Sequence, residues 1–353
     1  MPGTTTLWAD EGSDLVVKLA GEPSLPAVGL LERTVWGSRG LLYRIRGIDA
    51  KLSRLSDPYV FSIERNGQLA VVCVLNRKNA LVLGAQYDAF HFVMIATDEA
   101  FKGQGLASLL SKHVRRFCET ALRDPGIAYA YIESTTEYSL RISDRVGHRF
   151  ESLVPLTIFS RLFPKDDRRV RPLPENEAGS ISDCLYALYE DHSLLDFETS
   201  LRPGEYFVLS HDGRIVVGAQ AEVLHWSITR MPGWIGKFIV KGLPRIPVLR
   251  KLLCAEDLYF LRFGNILVRP GDEAHLATLL EALLARHGLR IGLILMDQRS
   301  SIFQRIKAFG KFGLMNAALR GTTKIVADFH GVAEDDIASI CARPVVVSPG
   351  DVI

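Results

Sequence analysis

The period of the apolar positions changes along this chain, and each change marks an element. Apolar and polar residues alternate in Tyr59 to Arg65 and again in Leu69 to Leu75, on either side of Asn66-Gly67. Alternation with period two predicts strands, and Asn-Gly accepts the positive φ angles of a type I′ turn, so these residues predict a hairpin. Before it, Asp14 to Leu19 predicts a strand, and Ser24 to Trp36 a helix capped by Ser24 with Leu25, Val28, Leu31 and Val35 near one face. Leu41 to Leu55 predicts a second helix, interrupted at Gly47. After the hairpin, Ala80 to Gly84 extends the sheet and Phe90 to Thr97 is an apolar, β-prone run. A turn containing Gly103 and Gly105 then opens a leucine-rich helix from Leu106. Ala128 to Glu133 predicts a buried strand, Ser134 to Gly147 a short helix, and Leu153 to Phe163 a closing strand.

The pattern then runs again. Phe163 to Pro174 concentrates proline and charge and predicts a linker. Beyond it, Ile181 to Tyr189 predicts a helix, and Tyr206 to His211 and Arg214 to Ala219 a second hairpin around Asp212-Gly213. A strand at Asn265 to Val268, a helix at Glu273 to His287, a strand at Ile291 to Met296, a helix at Ser300 to Phe309 and a strand at Lys324 to Phe329 complete the order. The same order twice predicts an internal duplication and an α/β fold of two units, residues 1–165 and 172–353. Gly67 to Gly103 spans 36 residues and Gly213 to Gly271 spans 58, so the second unit carries about 22 extra residues, placed at about 226–254. That stretch holds Arg230, Lys237, Lys241, Arg245, Arg250 and Lys251 and no acid before Cys254. The preferred reading is a helical pair covering the cleft between the units, with a membrane surface as the less favoured one.

A strand feeding a glycine turn that opens a helix is a site for phosphate, because the glycines admit close backbone approach and the free N–H groups of the first turn point outward. Lys102-Gly103-Gln104-Gly105-Leu106-Ala107 resembles the Arg/Gln-x-x-Gly-x-Gly/Ala turn of the GNAT superfamily, the acyl-CoA-dependent N-acyltransferases, where the turn cradles the CoA pyrophosphate. Lys102 stands where the family has Arg or Gln, which keeps a charge but loses the planar fork. The segment after the buried strand resembles the family's Asn-x-x-Ala-x-x-x-Tyr-x-x-x-Gly-Phe, with Thr136 on the Asn, Ser139 on the Ala, Ser143 on the Tyr, Gly147 on the Gly and His148 on the Phe. The resemblance implies two GNAT-like units in tandem, each a mostly antiparallel mixed α+β sheet with a splayed central strand pair flanked by helices. It also implies an acyl-CoA site in the first unit, built from Met94, Ile95, Ala96 and Thr97, the turn residues Lys102 to Ala107, and Thr136.

Acyl transfer to an amine needs a neutral amine, a polarised thioester carbonyl and a proton for the departing thiolate. The resemblance implies that backbone N–H groups polarise the carbonyl where Met94 to Ala96 splay from Ile132 to Ser134. Strand parity puts His91, Val93 and Ile95 on one face, and His91 lies eleven residues before Lys102, where many relatives carry a carboxylate. His91 is therefore a candidate base, and Glu133 at the end of the next strand is its rival. Ser143 replaces the proton-donating tyrosine and is a poor donor, while Tyr138 is five residues earlier and off that face. In the second unit the turn reads Arg269-Pro270-Gly271-Asp272-Glu273-Ala274, where two carboxylates suit the helix dipole but repel a pyrophosphate. The second unit is expected to be degenerate.

Composition narrows the classes. A net charge of +2 argues against nucleic acid, and 48% hydrophobic residues supply ample core. Five widely spaced cysteines suggest neither a disulfide framework nor a zinc pair, and with no secretory pattern or membrane-spanning run they point to a cytoplasmic protein. The expected activity is acetyl transfer from acetyl-CoA to an amine of a small molecule or peptide, by direct attack in a ternary complex and without a metal. A catalytically lapsed CoA-binding sensor is the alternative, and a membrane-surface acyltransferase for longer chains the third reading.

Overall fold

A computed structural model describes residues 3–10, 12–37, 41–136, 148–231, 254–317 and 321–351. The first half builds β1 (Thr5–Asp10), β2 (Leu15–Ala20), α1 (Leu25–Arg33), β3 (Leu42–Ile45), α2 (Ile48–Leu52), β4 (Pro58–Arg65), β5 (Gln68–Val82), β6 (Ala85–Thr97), α3 (Leu106–Ala121), β7 (Gly126–Glu133) and β8 (His148–Ser160). The second builds β9 (Val170–Pro172), α4 (Ala178–Leu188), α5 (Phe197–Ser200), β10 (Tyr206–His211), β11 (Arg214–Arg230), β12 (Leu258–Val268), α6 (Glu273–Arg286), β13 (Ile291–Leu295), α7 (Ser301–Phe309), β14 (Thr322–His330) and α8 (Glu334–Ala342).

The local signals act as their chemistry requires. Asn66 and Gly67 take φ of 49° and 72°, and Asp212 and Gly213 take 48° and 73°, so both hairpins turn on two left-handed residues. Ser24 caps α1 by accepting a hydrogen bond from the Ala27 amide. In α3, Leu106, Leu110, Val114 and Cys118 form one buried stripe against Phe61, Val71, Cys73, Leu75 and Phe90 of the sheet. The predicted second helix at Leu41 to Leu55 forms only in its latter part. Leu42–Ile45 instead pairs with β11, where Tyr43 stacks on Trp226 at 4.0 Å and Ile45 is buried. A free strand edge and an aromatic partner outweigh the local helical signal there. Trp226 to Arg230, expected within the insertion, continues β11; the rest of that insertion, 232–253, lies outside the described residues, as does the helix expected at Ser134 to Gly147 over 137–147.

All the strands join in a single mixed, mostly antiparallel sheet in the order β1-β2-β4-β5-β6-β7-β14-β8-β13-β12-β11-β10-β9, with β3 added to β11. Only β6 with β7 and β12 with β13 pair in parallel among these strands. Neither half closes its own sheet. β14 of the second half lies between β7 and β8, pairing Thr323 with Glu133 on one side and Val154 on the other, while β8 of the first half pairs with β13. The expectation that the first unit is complete by Phe163 is corrected: its closing strands are exchanged with those of the second.

Candidate functional site

The β6–β7 ladder runs from Asp88 opposite Gly126 to Phe92 opposite Ala130 and stops. An irregularity in the β5 pairing falls at the same place, since Val74 opposes Met94 and Leu75 opposes Phe92, leaving Val93 over. An extra residue bends a strand. From there β6 continues with β5 to Thr97, β7 continues with β14 to Glu133, and Met94 to Thr97 have no partner on β7. Met94 and Ala96 are buried, whereas Ile95 is 38% exposed. The strands therefore part at the place the GNAT resemblance implied, about Met94 to Ala96.

Eight residues beyond Thr97 the chain reaches Gly105, the residue before α3. Gly103 and Gly105 have φ of 77° and 76°, and a Cβ on either would meet no atom of the described residues within 4 Å. The first turn of α3 carries no acid. Around the turn, Arg65 donates to Gln104 Oε1 at 2.7 Å, Lys102 pairs with Glu99 and Arg33 with Asp98. This open cradle with cations beside it fits a pyrophosphate. Arg33 and Arg65 were not among the expected residues, because they reach the turn from α1 and β4.

The second half has the same frame with different contents. Asn76 lies nine residues after Gly67 and pairs with His91; Glu222 lies nine after Gly213 and pairs with Arg262, so Arg262 holds the place of His91. At its turn Gly271 donates its amide to Glu273 Oε2 at 3.0 Å, and Arg305 Nε lies 3.2 Å from Glu273 Oε1. The anion site of that turn is filled by the chain's own carboxylate. Its splay is filled too. The β12–β13 ladder stops at Phe263 opposite Ile294, and the segment after α8 packs there. Val345 donates its amide to Asp297 Oδ2 at 2.8 Å, Val346 donates to the Ser193 carbonyl, and Pro349 packs onto the backbone of Gly264.

That segment ends in the first half. Asp351 Oδ1 accepts from Lys78 Nζ at 2.7 Å, Oδ2 lies 3.3 Å from the hydroxyls of Tyr129 and Tyr131, and His91 Nδ1 is 3.7 Å from Oδ1. Lys78 also lies 3.4 Å from Asp196. Burial opposes both charges of the Lys78–Asp351 pair, but their mutual attraction raises the lysine and lowers the aspartate below the ordinary carboxylate value. Burial pushes His91 down to about 4, Asp351 opposing and Lys78 assisting. His91 is 1% exposed, and neither ring nitrogen has a hydrogen-bond partner among the described residues. It sits behind Asp351, stacked on Tyr129, while Asp351 itself lines a cavity between the halves.

Glu133 is half-buried at the end of β7, on the same face as Tyr129 and Tyr131, and accepts from Thr135 at 2.8 Å. Thr136 follows, its amide on the Glu133 carbonyl. Ser143, Ser139 and Tyr138 lie outside the described residues. Asp351, Lys78 and Asp196 were missed, since nothing local joins positions so far apart in sequence.

No family model and no curated protein matches the sequence. Solved structures do match. An N-myristoyltransferase of Saccharomyces cerevisiae with bound myristoyl-CoA superposes with a TM-score of 0.61 at 11% identity, over 97% of this chain and 91% of that one. A second structure of the yeast enzyme gives 0.59 at 12% identity, over 94% and 85%. The GCN5-related glucosamine N-acetyltransferase region of a fungal multi-domain GH3 β-N-acetylglucosaminidase gives 0.58 at 10% identity, covering 89% of this chain and 38% of that one. The chain has the GNAT fold in its two-domain form.

Proposed function

We propose that the protein is an acyl-CoA-dependent N-acyltransferase with one donor site, in residues 1–165, and a second unit, 172–353, that lacks a donor site and completes the acceptor side. The observation that carries this is the open glycine cradle at Gly103 and Gly105, which follows the point where β6 parts from β7. Gly103 to Ala107 would hold the pyrophosphate on α3, with Arg33, Arg65 and Lys102 beside it. Met94 to Thr97 and Thr136 would flank the pantetheine, and backbone donors at the splay would hold the thioester oxygen. When bound, the donor supplies an activated acyl group on sulfur.

Asp351 is the group that meets the attacking amine. Once the nitrogen has attacked, its proton is far more acidic than that of a free ammonium, so a weak carboxylate base suffices. Lys78 and His91 are positioning residues: the first fixes the carboxylate's charge, and the second packs behind it as a neutral ring. Glu133 is the alternative base. The rings of His91, Tyr129 and Tyr131, with centroids 5.0 to 5.9 Å apart, cluster around the last rungs of the β6–β7 ladder, and acetyl is the acyl group proposed. Among the described residues no helix is long and apolar enough to cross a membrane.

Thiol release from an acyl-CoA series against a panel of amines tests the proposal. Turnover is expected to be fastest with acetyl-CoA, and Asp351→Asn is expected to lower kcat at least about a hundredfold with CoA binding unchanged. CoA binding without turnover of any amine would turn the reading to a sensor.

A further inference from the structure

Below the splay the two halves enclose a cavity of about 60 Å3, walled by α2, β5, β11, β12 and the C-terminal segment. Its charges can be matched in turn. Lys78 is met by Asp351 and Asp196. Arg54 Nη1 lies 3.0 Å from Glu205 and 3.2 Å from Glu222, Arg262 pairs with Glu222 from the other side, and Arg202 Nη1 is 3.7 Å from Glu205. Lys51 is left over. Its Nζ is buried and has no hydrogen-bond partner among the described residues. The same holds for Nε and Nη1 of Arg262, whose side chain is 6% exposed, and for Ser348 Oγ.

Among the described residues five cations thus share four carboxylates, and the unused donors belong to residues lining one cavity. Buried donors without acceptors and a buried cation without a counter-ion are costly, so such a deficit is retained where a ligand makes it good. Burial, with Arg262 next and Glu222 opposing, lowers Lys51 to about 7, and an anion bound beside it would raise it again. The deficit is at most a single charge and the space is small, which suits a carboxylate better than a phosphate dianion. Asp351 lines the same cavity, so an amine borne close to that carboxylate would meet its base.

We infer that the Lys51–Arg262 cavity binds the carboxylate of the acceptor, and that the acceptor is a small amine carrying a carboxylate near its nitrogen, as an amino acid or a short peptide does. The inference rests on the proposed acyl transfer. In that step the nitrogen lone pair forms the N–C bond, the C–S bond breaks with its electrons leaving on sulfur, and the amine proton passes to Asp351 and thence to the thiolate.

Two measurements separate the acceptor from the activity. Calorimetric titration at pH 7 with N-acetylglycine, whose nitrogen is already acylated, and with neutral N-acetylglycinamide reads the anion site alone. The acid is expected to bind about ten- to a hundredfold more tightly, and Lys51→Met to remove most of that difference. Arg262→Lys, which keeps a cation beside Glu222, is expected to remove part of it. Thiol release from acetyl-CoA with glycine against glycinamide reads the same preference in kcat/KM. Equal binding of acid and amide by the parent protein, or a preference untouched in both variants, overturns the inference. Acid-selective binding without thiol release from any amine leaves the anion site standing and removes the acyltransferase reading.

Discussion

At the end of β6 the strand pair opens beside two uncovered glycines, whereas at the end of β12 the chain's own tail lies in the gap and Glu273 sits on the glycine amide. Both halves keep the hairpin, the parallel pair and the helix after it. The difference teaches that one frame can carry two contents: in the second half a carboxylate lies on the turn glycine and a peptide segment lies in the gap between the strands. The filled splay then serves the open one, because the segment it grips carries Asp351 to Lys78 and His91.

The largest way to test that asymmetry is at the matched pair His91 and Arg262. His91 titrates at about 4 in the folded protein against 6.5 when free, so the unfolded chain takes up the proton first. Stability is complete above pH 6.5 and falls as pH drops toward 4, by about 3 kcal/mol in all. Urea unfolding of His91→Leu at pH 7, 5.5 and 4 should show that portion of the pH dependence gone; an unchanged slope would mean that His91 is solvated. Next in size is the donor turn. Gly105→Val and Gly271→Val both force a branched residue into a left-handed backbone and should each cost about 1–3 kcal/mol. Only Gly105→Val should also lose the CoA-dependent thermal stabilisation, worth about 2.7 kcal/mol at a hundredfold excess over Kd. Equal loss in both would show that the second turn binds as well.

Smaller effects probe the filling itself. Gly264 occupies the place of Val93, and an added Cβ there would lie 2.6 Å from Pro349. Gly264→Ala should cost about 2 kcal/mol by overpacking and lower kcat by displacing Asp351, while Val93→Ala should leave the tail in place; thermal melts and thiol release report the two. The smallest change is expected for Glu273→Gln, about 1 kcal/mol from a weakened contact to Gly271 and Arg305. It should not create CoA binding, since the tail still fills the splay; a CoA-dependent shift in this variant would sink the idea that two separate obstacles close the second site.

Much of this was legible in the sequence wherever the cause is local. Asn-Gly and Asp-Gly fixed both hairpins, leucine spacing fixed α3 and α6, and the resemblance to GNAT proteins implied that β6 and β7 part near Met94. Arg269 to Ala274 told against a second phosphate site by charge, although not that Glu273 would fold back onto Gly271. Elements decided at a distance were not legible. Leu42 to Ile45 becomes a strand because β11 offers it an edge, and Lys324 to Phe329 reads as a strand whichever half it joins. Pro344 to Asp351 looks like an apolar tail until its partners, Asp297, Ser193 and Lys78, are brought to it by the fold. Lys51 reads as an ordinary helix surface residue.

The strand exchange also sets a timetable for synthesis. β14 begins at Thr322, so the long edge of β7 waits for its neighbour until the chain has been made well past β13. At about 5–20 residues per second, the interval between the end of β8 and the arrival of β14 is roughly 10 to 30 s. During that time β7 offers a row of free N–H and C=O groups to any passing strand, which makes the nascent chain a natural client for a chaperone. Premature termination before Thr322 would release the Gly103–Gly105 turn with no finished sheet behind it.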